Sequence, residues 1–333
     1  MSGLKFGVML PVRGPSDIPG PKPWILALQY RYDELNLETV KKTALTAEEL
    51  NYNSIWVVDH YSTPRTRQRL ECWTTMTWLA SITNKIRIGS LVLCPLYRDP
   101  SLLAKMASTL DHISNGRLEL GLGACPSFNK AECDAMGIPW VGPATRIKKL
   151  KETVETCKLL WREDNVDYNG DYFTLRDAVC EPKPLQKPGP PITIAGWGDR
   201  MLRLIAEYAD RVNFGGPQSL SERIEVLKSH CESVGRDYNS LEKTLSIAVV
   251  LKPSDEEYLD DMKKRFIADG GHGDFADWLN RAEEYYISGT PEDCVEQLRP
   301  FLELGVTSFM IRFGDIPSLD DMSMFAKEVI PRL

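Results

Sequence analysis

The sequence predicts a closed parallel (β/α)8 TIM barrel. Two observations carry this: apolar, β-branched runs alternate with amphipathic helical patterns along the chain, and the runs are continuous rather than alternating. Ile55-Trp56-Val57-Val58 and Ile247-Ala248-Val249-Val250 are apolar throughout. Strands that read this way are buried on both faces, as in a parallel sheet covered by helices. A chain of 333 residues suits one such barrel of about 250 residues with insertions. The reading is therefore one domain, 1–333.

In order, the strands are expected at Lys5–Leu10, Ser54–Val58, Ile86–Val92, Arg117–Leu122, Pro191–Ala195, Arg211–Phe214, Leu245–Leu251 and Ser308–Arg312. The helices are expected at Leu37–Leu50, Cys72–Ile82, Pro100–Ile113, Ala144–Trp161, Asp199–Tyr208, Leu220–Val234, Pro291–Leu304 and Leu319–Ile330. Thr290-Pro291-Glu292-Asp293 reads as a cap, a proline at the first helical position and acids in the first turn. Gly305 ends that helix, and Asn115-Gly116 marks a turn into the fourth strand. Three stretches are surplus to a minimal barrel and are expected as insertions after strands one, four and seven. Gly14–Asp33 reads as a long loop over the mouth, and Asp164–Pro190 as a hairpin turning at Asn169-Gly170 before a proline-rich crossing. Lys252–Ser288, with its run of glycines, reads as a lid or mobile insertion.

Composition narrows the function classes. A net charge of −7 gives no global basic surface for nucleic acid or an anionic membrane. No stretch reaches the roughly 18 apolar residues of a spanning helix, and the start reads as a strand rather than a signal peptide, so a cytoplasmic protein is expected. The eight cysteines form no Cys-x-x-Cys pair; they are expected as reduced thiols, with no metal site.

The segments Ile55–Tyr61, Lys85–Ala124 and Lys187–Gly198, which read IWVVDHY, KIRIGSLVLCPLYRDPSLLAKMASTLDHISNGRLELGLGA and KPGPPITIAGWG, resemble the luciferase-like barrel proteins. That family includes flavin-dependent monooxygenases and oxidoreductases that use the deazaflavin coenzyme F420. The resemblance runs in order through nearly the whole chain. YRDPSLLAKMASTLDHISNGRLELGLGA, with DYFTLRDAVCEPKP and LKSHCESVGRD, is most similar to the F420-dependent branch. It implies hydride transfer between F420 and a small organic substrate, with an FMN-dependent monooxygenase as the alternative. A homodimer is also implied. A non-catalytic member that binds a flavin or serves as a partner subunit is a third possibility.

Asp59 and His60 follow strand two, where barrel enzymes place working groups. Histidine there can hold a cofactor ring or pass a proton near neutral pH; otherwise the pair is a capping acid and a packed rim side chain. By the resemblance, His60 is the catalytic group and Asp59 touches cofactor, and a non-proline cis bond is implied near Leu91-Val92, against the ring. Gly123 and Ala124 end strand four, where small side chains let a ring approach the backbone. In a relative acting on a sugar phosphate an acid follows this segment. Pro126 stands there in this chain, and Glu132, a few residues on, is expected to face solvent. Cys94 is expected to line the pocket. Ala195-Gly196-Trp197-Gly198 ends strand five and opens a helix, whose N–H groups can bind the cofactor phosphate. Arg200 and Gly215-Gly216 stand ready to assist. Arg98 and Arg312 could meet substrate or the acidic tail of F420, or form structural ion pairs.

Overall fold

A computed structural model describes residues 3–14, 35–62, 67–268 and 270–333. The expected loop at Gly14–Asp33 lies almost wholly outside the described residues. Eight parallel strands close a barrel: β1 (Lys5–Met9), β2 (Ser54–Val57), β3 (Arg87–Ser90), β4 (Leu118–Gly123), β7 (Ile192–Ala195), β8 (Arg211–Asn213), β9 (Glu242–Leu251) and β11 (Ser308–Phe313). Each pairs with the next, and β11 returns to β1. All eight expected strands are therefore present. The strands are buried almost end to end, as their unbroken apolar runs require.

Around them lie α1 (Leu37–Glu49), α2 (Cys72–Ile82), α3 (Pro100–Ile113), α5 (Pro143–Arg162), α6 (Asp199–Tyr208), α7 (Leu220–Ser233), α10 (Pro291–Glu303) and α11 (Asp320–Met324). A short α4 (Lys130–Ala135) precedes α5. Local sequence sets the helix ends. Asn36 accepts from the N–H groups of Glu38 and Thr39, Asp99 caps α3 ahead of Pro100, and Thr290 with Asp293 forms a full capping box on α10. The hairpin is present as β5 (Val166–Asn169) and β6 (Thr174–Ala178), closed by the Gly170 N–H donating to the Phe173 carbonyl at 2.9 Å.

The segment 252–288 departs from the expectation of a loose lid. It folds as α8 (Asp255–Ala268) and α9 (Phe275–Glu283), which pack Tyr258, Met262, Trp278 and Ala282 into their own apolar cluster. It then enters a further parallel strand, β10 (Tyr286–Gly289), which pairs with the C-terminal part of β9.

The two ends of the barrel differ. At the N-terminal end, residues in the first two positions of five strands form a chain of ion pairs. Lys5 and Arg211 both hold Glu242, at 2.8 and 2.9 Å, while Arg87 and Arg211 both hold Glu119. Inside, Trp56 fills the lumen beside Met9 and Met310, and donates its indole N–H to Ser54 at 2.8 Å. A Cβ at position 89 would collide with that indole, so Gly89 is required by the packing. With the bottom charged and the middle filled, the C-terminal mouth is the end left for chemistry. Among the described residues no helix is long and apolar enough to cross a membrane.

Candidate active site

Two groups of residues meet at the mouth. The first gathers at the exits of β2, β3 and β4. Asp59, 5% exposed, is fully engaged: its carboxylate takes a bidentate pair from Arg98 at 2.8 and 3.0 Å and the backbone N–H of Cys94 at 3.0 Å. Arg98 also reaches Glu71, the cap of α2, at 2.5 Å. Burial lowers the tendency of this guanidinium to hold its proton, but the bonds to Asp59 outweigh it and Arg98 is firmly cationic. Of the two roles open to Arg98, the structure thus shows the ion pair. It ties together the β2 exit, the start of α2 and the β3 exit.

The next residue, His60, faces Glu132 instead. Its Nδ1 lies 3.0 and 3.1 Å from the two carboxylate oxygens of Glu132. The expectation that Glu132 faces solvent is corrected here: it is 4% exposed. After Pro126 the chain makes a 3-10 turn at Ser127–Asn129 and enters α4, which swings Glu132 back over the site. Glu132 also accepts from the Tyr97 hydroxyl at 3.0 Å and the Tyr61 N–H at 3.2 Å, while the Asn129 amide donates to the Tyr97 oxygen at 3.2 Å. Burial pushes the Glu132 carboxyl upward. The hydrogen bond and charge of His60, the Tyr97 hydroxyl and the charge of Arg69 more than offset this, leaving it below the ordinary carboxylate range. A carboxylate held low keeps its charge through neutral pH and loses it only as the pH falls below that range. Since an ionised carboxylate only accepts, the hydrogen between the two groups belongs on Nδ1, which leaves Nε2 as the edge of the ring turned to a substrate. Burial likewise raises the Tyr97 hydroxyl well above its usual range, so it stays a donor.

Around this cluster, the Leu91-Val92 bond is cis, where the resemblance implied one. Val92 lies over Gly123, close enough that a Cβ on that glycine would meet its Cγ2 at 2.6 Å. Ala124 offers its carbonyl to Arg146 at 3.1 Å. The expectation of eight reduced thiols is also corrected: Cys94 and Cys125 are joined by a disulfide, with Cα atoms 5.5 Å apart. The exits of neighbouring barrel strands bring the two residues together, although 31 positions separate them. The other six cysteines are free and buried.

The second group is made of backbone. β7 ends at Ala195, and Gly196 donates to the Asn213 carbonyl of β8 at 3.1 Å. Trp197 is 55% exposed, with the Arg223 guanidinium 5.4 Å from its ring. Gly198 starts α6 with no side chain capping the helix, and a Cβ there would meet nothing within 4 Å. Open space over uncapped N–H groups fits a phosphate-bearing cofactor. Gly215, at a φ of 72°, backs onto the Trp197 ring, and Arg200 is exposed on the first turn of α6. Two other histidines lie away from the first cluster: His112 bonds the Lys183 carbonyl, and His230 pairs with Asp199 at 2.9 Å.

The mouth therefore brings His60, Asp59, Leu91, Val92, Gly123 and Ala124 together on one side, adjoining residues 195–198 on the other, where Gly123 pairs with Ala195. Glu132, Tyr97 and Asn129 were not singled out as site residues from the sequence. The available signal was Asn129 and Glu132 three apart in a helical turn directly after the β4 exit.

The sequence profile of the luciferase-like monooxygenase family matches residues 4–308, and the chain belongs to that family. It is 25% identical over 317 residues to an F420-dependent glucose-6-phosphate dehydrogenase of Amycolatopsis mediterranei (strain U-32), covering 87% of this chain and 92% of the relative. It is 27% identical over 325 residues to a 5,10-methylenetetrahydromethanopterin reductase of Archaeoglobus fulgidus, covering 86% and 93%. Its fold matches that of an F420-dependent secondary alcohol dehydrogenase solved with an F420-acetone adduct, at a TM-score of 0.77 and 20% identity over 99% of both chains.

Proposed function

We propose, with membership of the luciferase-like monooxygenase family as the premise, that this chain is an oxidoreductase transferring a hydride between coenzyme F420 and a small organic substrate. The observation that carries the reading is the His60–Glu132 pair at the mouth of the barrel. Relatives named as F420-dependent, matched over most of their length, support the choice of cofactor. When bound, F420 supplies a two-electron hydride donor or acceptor. The uncapped start of α6, with residues 195–198, would hold its phosphate, and Leu91, Val92 and Gly123 would back its ring.

The protein's own task is then to orient substrate and manage one proton. His60 does this at Nε2: in the oxidising direction it takes the proton of a substrate hydroxyl, and in the reducing direction it returns one. Glu132 fixes the tautomer through Nδ1 and stabilises the imidazolium once the proton has moved. Tyr97 and the Tyr61 N–H keep Glu132 ionised and aimed at His60.

The test begins with titration of F420 and FMN, each oxidised and reduced, followed by tryptophan fluorescence. F420 is expected to bind selectively. Selective binding of reduced FMN would instead place the chain among the monooxygenases. For the pair itself, His60→Asn should cut turnover by about 100- to 10,000-fold with cofactor affinity unchanged. Glu132→Gln should also cut turnover, and the double variant should be no slower than His60→Asn alone, because the two act as a unit. Additive losses would mean that Glu132 acts separately from His60.

A further inference from the structure

We propose that the substrate side of this site takes an uncharged aromatic or bulky apolar molecule carrying an alcohol or carbonyl, and that Phe128 selects it. The inference rests on the reading of His60 as the proton-handling group. Phe128 lies on the 3-10 turn between β4 and α4 and is 65% exposed. Its ring centre is 5.8 Å from that of His60, at an interplanar angle of 39°. With Nδ1 committed to Glu132, a molecule reaching the outer edge of this imidazole passes the Phe128 face. Tyr61 and Tyr97, with ring centres 4.6 Å apart, continue the aromatic surface. A large apolar ring left in water beside a working group, rimmed by a few aimed polar atoms, is the usual lining of a site for an apolar ligand.

Charge argues in the same direction. Around His60 the carboxylates Asp59, Glu71 and Glu132 are held against the guanidiniums Arg69 and Arg98. Both guanidiniums are engaged with these acids, and Lys130 beyond them is paired with Asp134 at 2.5 Å. A phosphate monoester would meet cations already paired with acids here. The exposed Arg200 and the half-buried Arg223 stand with the other group, beside residues 195–198. This chain is therefore expected to differ in substrate from relatives named for glucose 6-phosphate.

The experiment is ligand-observed saturation-transfer NMR on the full chain with two probes, 1-phenylethanol and glucose 6-phosphate. Transfer to the aromatic protons of 1-phenylethanol is expected, with none to glucose 6-phosphate. Phe128→Ala should weaken 1-phenylethanol about three- to tenfold, the worth of one aromatic contact. Leu102→Ala, which removes an apolar side chain 54% exposed on the outer helix α3, should leave it unchanged. Binding of glucose 6-phosphate in competition with 1-phenylethanol would overturn the proposal. So would absence of 1-phenylethanol binding, or a Phe128→Ala affinity equal to that of the wild type. If 1-phenylethanol binds through Phe128 while F420 does not bind at all, the cofactor reading falls and the substrate inference stands.

Discussion

The two sides of the barrel mouth are built from different materials. On the β2–β4 side the chain places charged side chains, and each is held by others: Asp59 by Arg98, Arg98 by Glu71, His60 by Glu132, and Glu132 by Tyr97. On the β7–β8 side it places glycines, an exposed tryptophan and an uncapped helix start. The first arrangement suits proton transfer, where a group must keep one tautomer and one orientation. The second suits an anion, for which unoccupied N–H groups and room to approach matter more than any side chain. The difference predicts that changes on the first side damage the fold as well as the reaction, whereas changes on the second side alter binding and little else.

The largest effect is expected at Arg98. Replacing it with alanine leaves Asp59 as a buried carboxylate holding only the Cys94 N–H, and leaves Glu71 with only the N–H groups of the helix it caps. Removing one member of a buried pair costs about 3–5 kcal/mol. Urea unfolding of Arg98→Ala should show a loss of that order. A loss below about 1 kcal/mol would mean that the ion pairs do not hold this side together.

The Cys94–Cys125 bond ranks next. It joins the β3 exit, which leads to Tyr97 and Arg98, to the β4 exit, which leads to Asn129 and Glu132. For a loop of this length the restraint is worth about 3.7 kcal/mol. Alkylation of unfolded, unreduced protein should modify six cysteines, and all eight after reduction; mild reduction of the folded protein should lower its thermal midpoint. Modification of eight cysteines without reductant would show two free thiols instead.

The contrast between the sides also explains what was legible in the sequence. The strands were, because burial on both faces imposes an unbroken apolar run that any reader of residues 55–58 or 247–250 can see. The strand-to-helix turn at 195–198 was too, since glycines between an apolar run and a helical pattern mark it. β10 was not: four residues, Tyr286–Gly289, carry little pattern of their own, and the glycines before α9 drew attention instead. Glu132 was misread because its burial is a tertiary fact. It meets His60 across 72 positions, after a turn that reverses the chain. The disulfide was misread for a related reason: the oxidation state was inferred from composition, while the pairing arises from the closeness of two strand exits.

The smallest effect on the fold is expected at Gly198, which makes it the sharpest test of the second side. Its backbone is extended, with φ −75° and ψ 151°, so alanine is allowed there, and the added Cβ meets nothing within 4 Å. Two small terms oppose each other: alanine restricts the unfolded chain, which stabilises, and is a poorer N-cap than glycine, which destabilises. Each is about 1 kcal/mol or less. Gly198→Ala should therefore melt close to the wild type. The same methyl group stands over the open start of α6, where an approaching phosphate would have to pass. If that start is the anchor, F420 affinity should fall several-fold in Gly198→Ala while 1-phenylethanol affinity stays constant. An unchanged F420 affinity in a normally folded Gly198→Ala would move the phosphate away from α6, and the contrast between the two sides would lose its functional meaning.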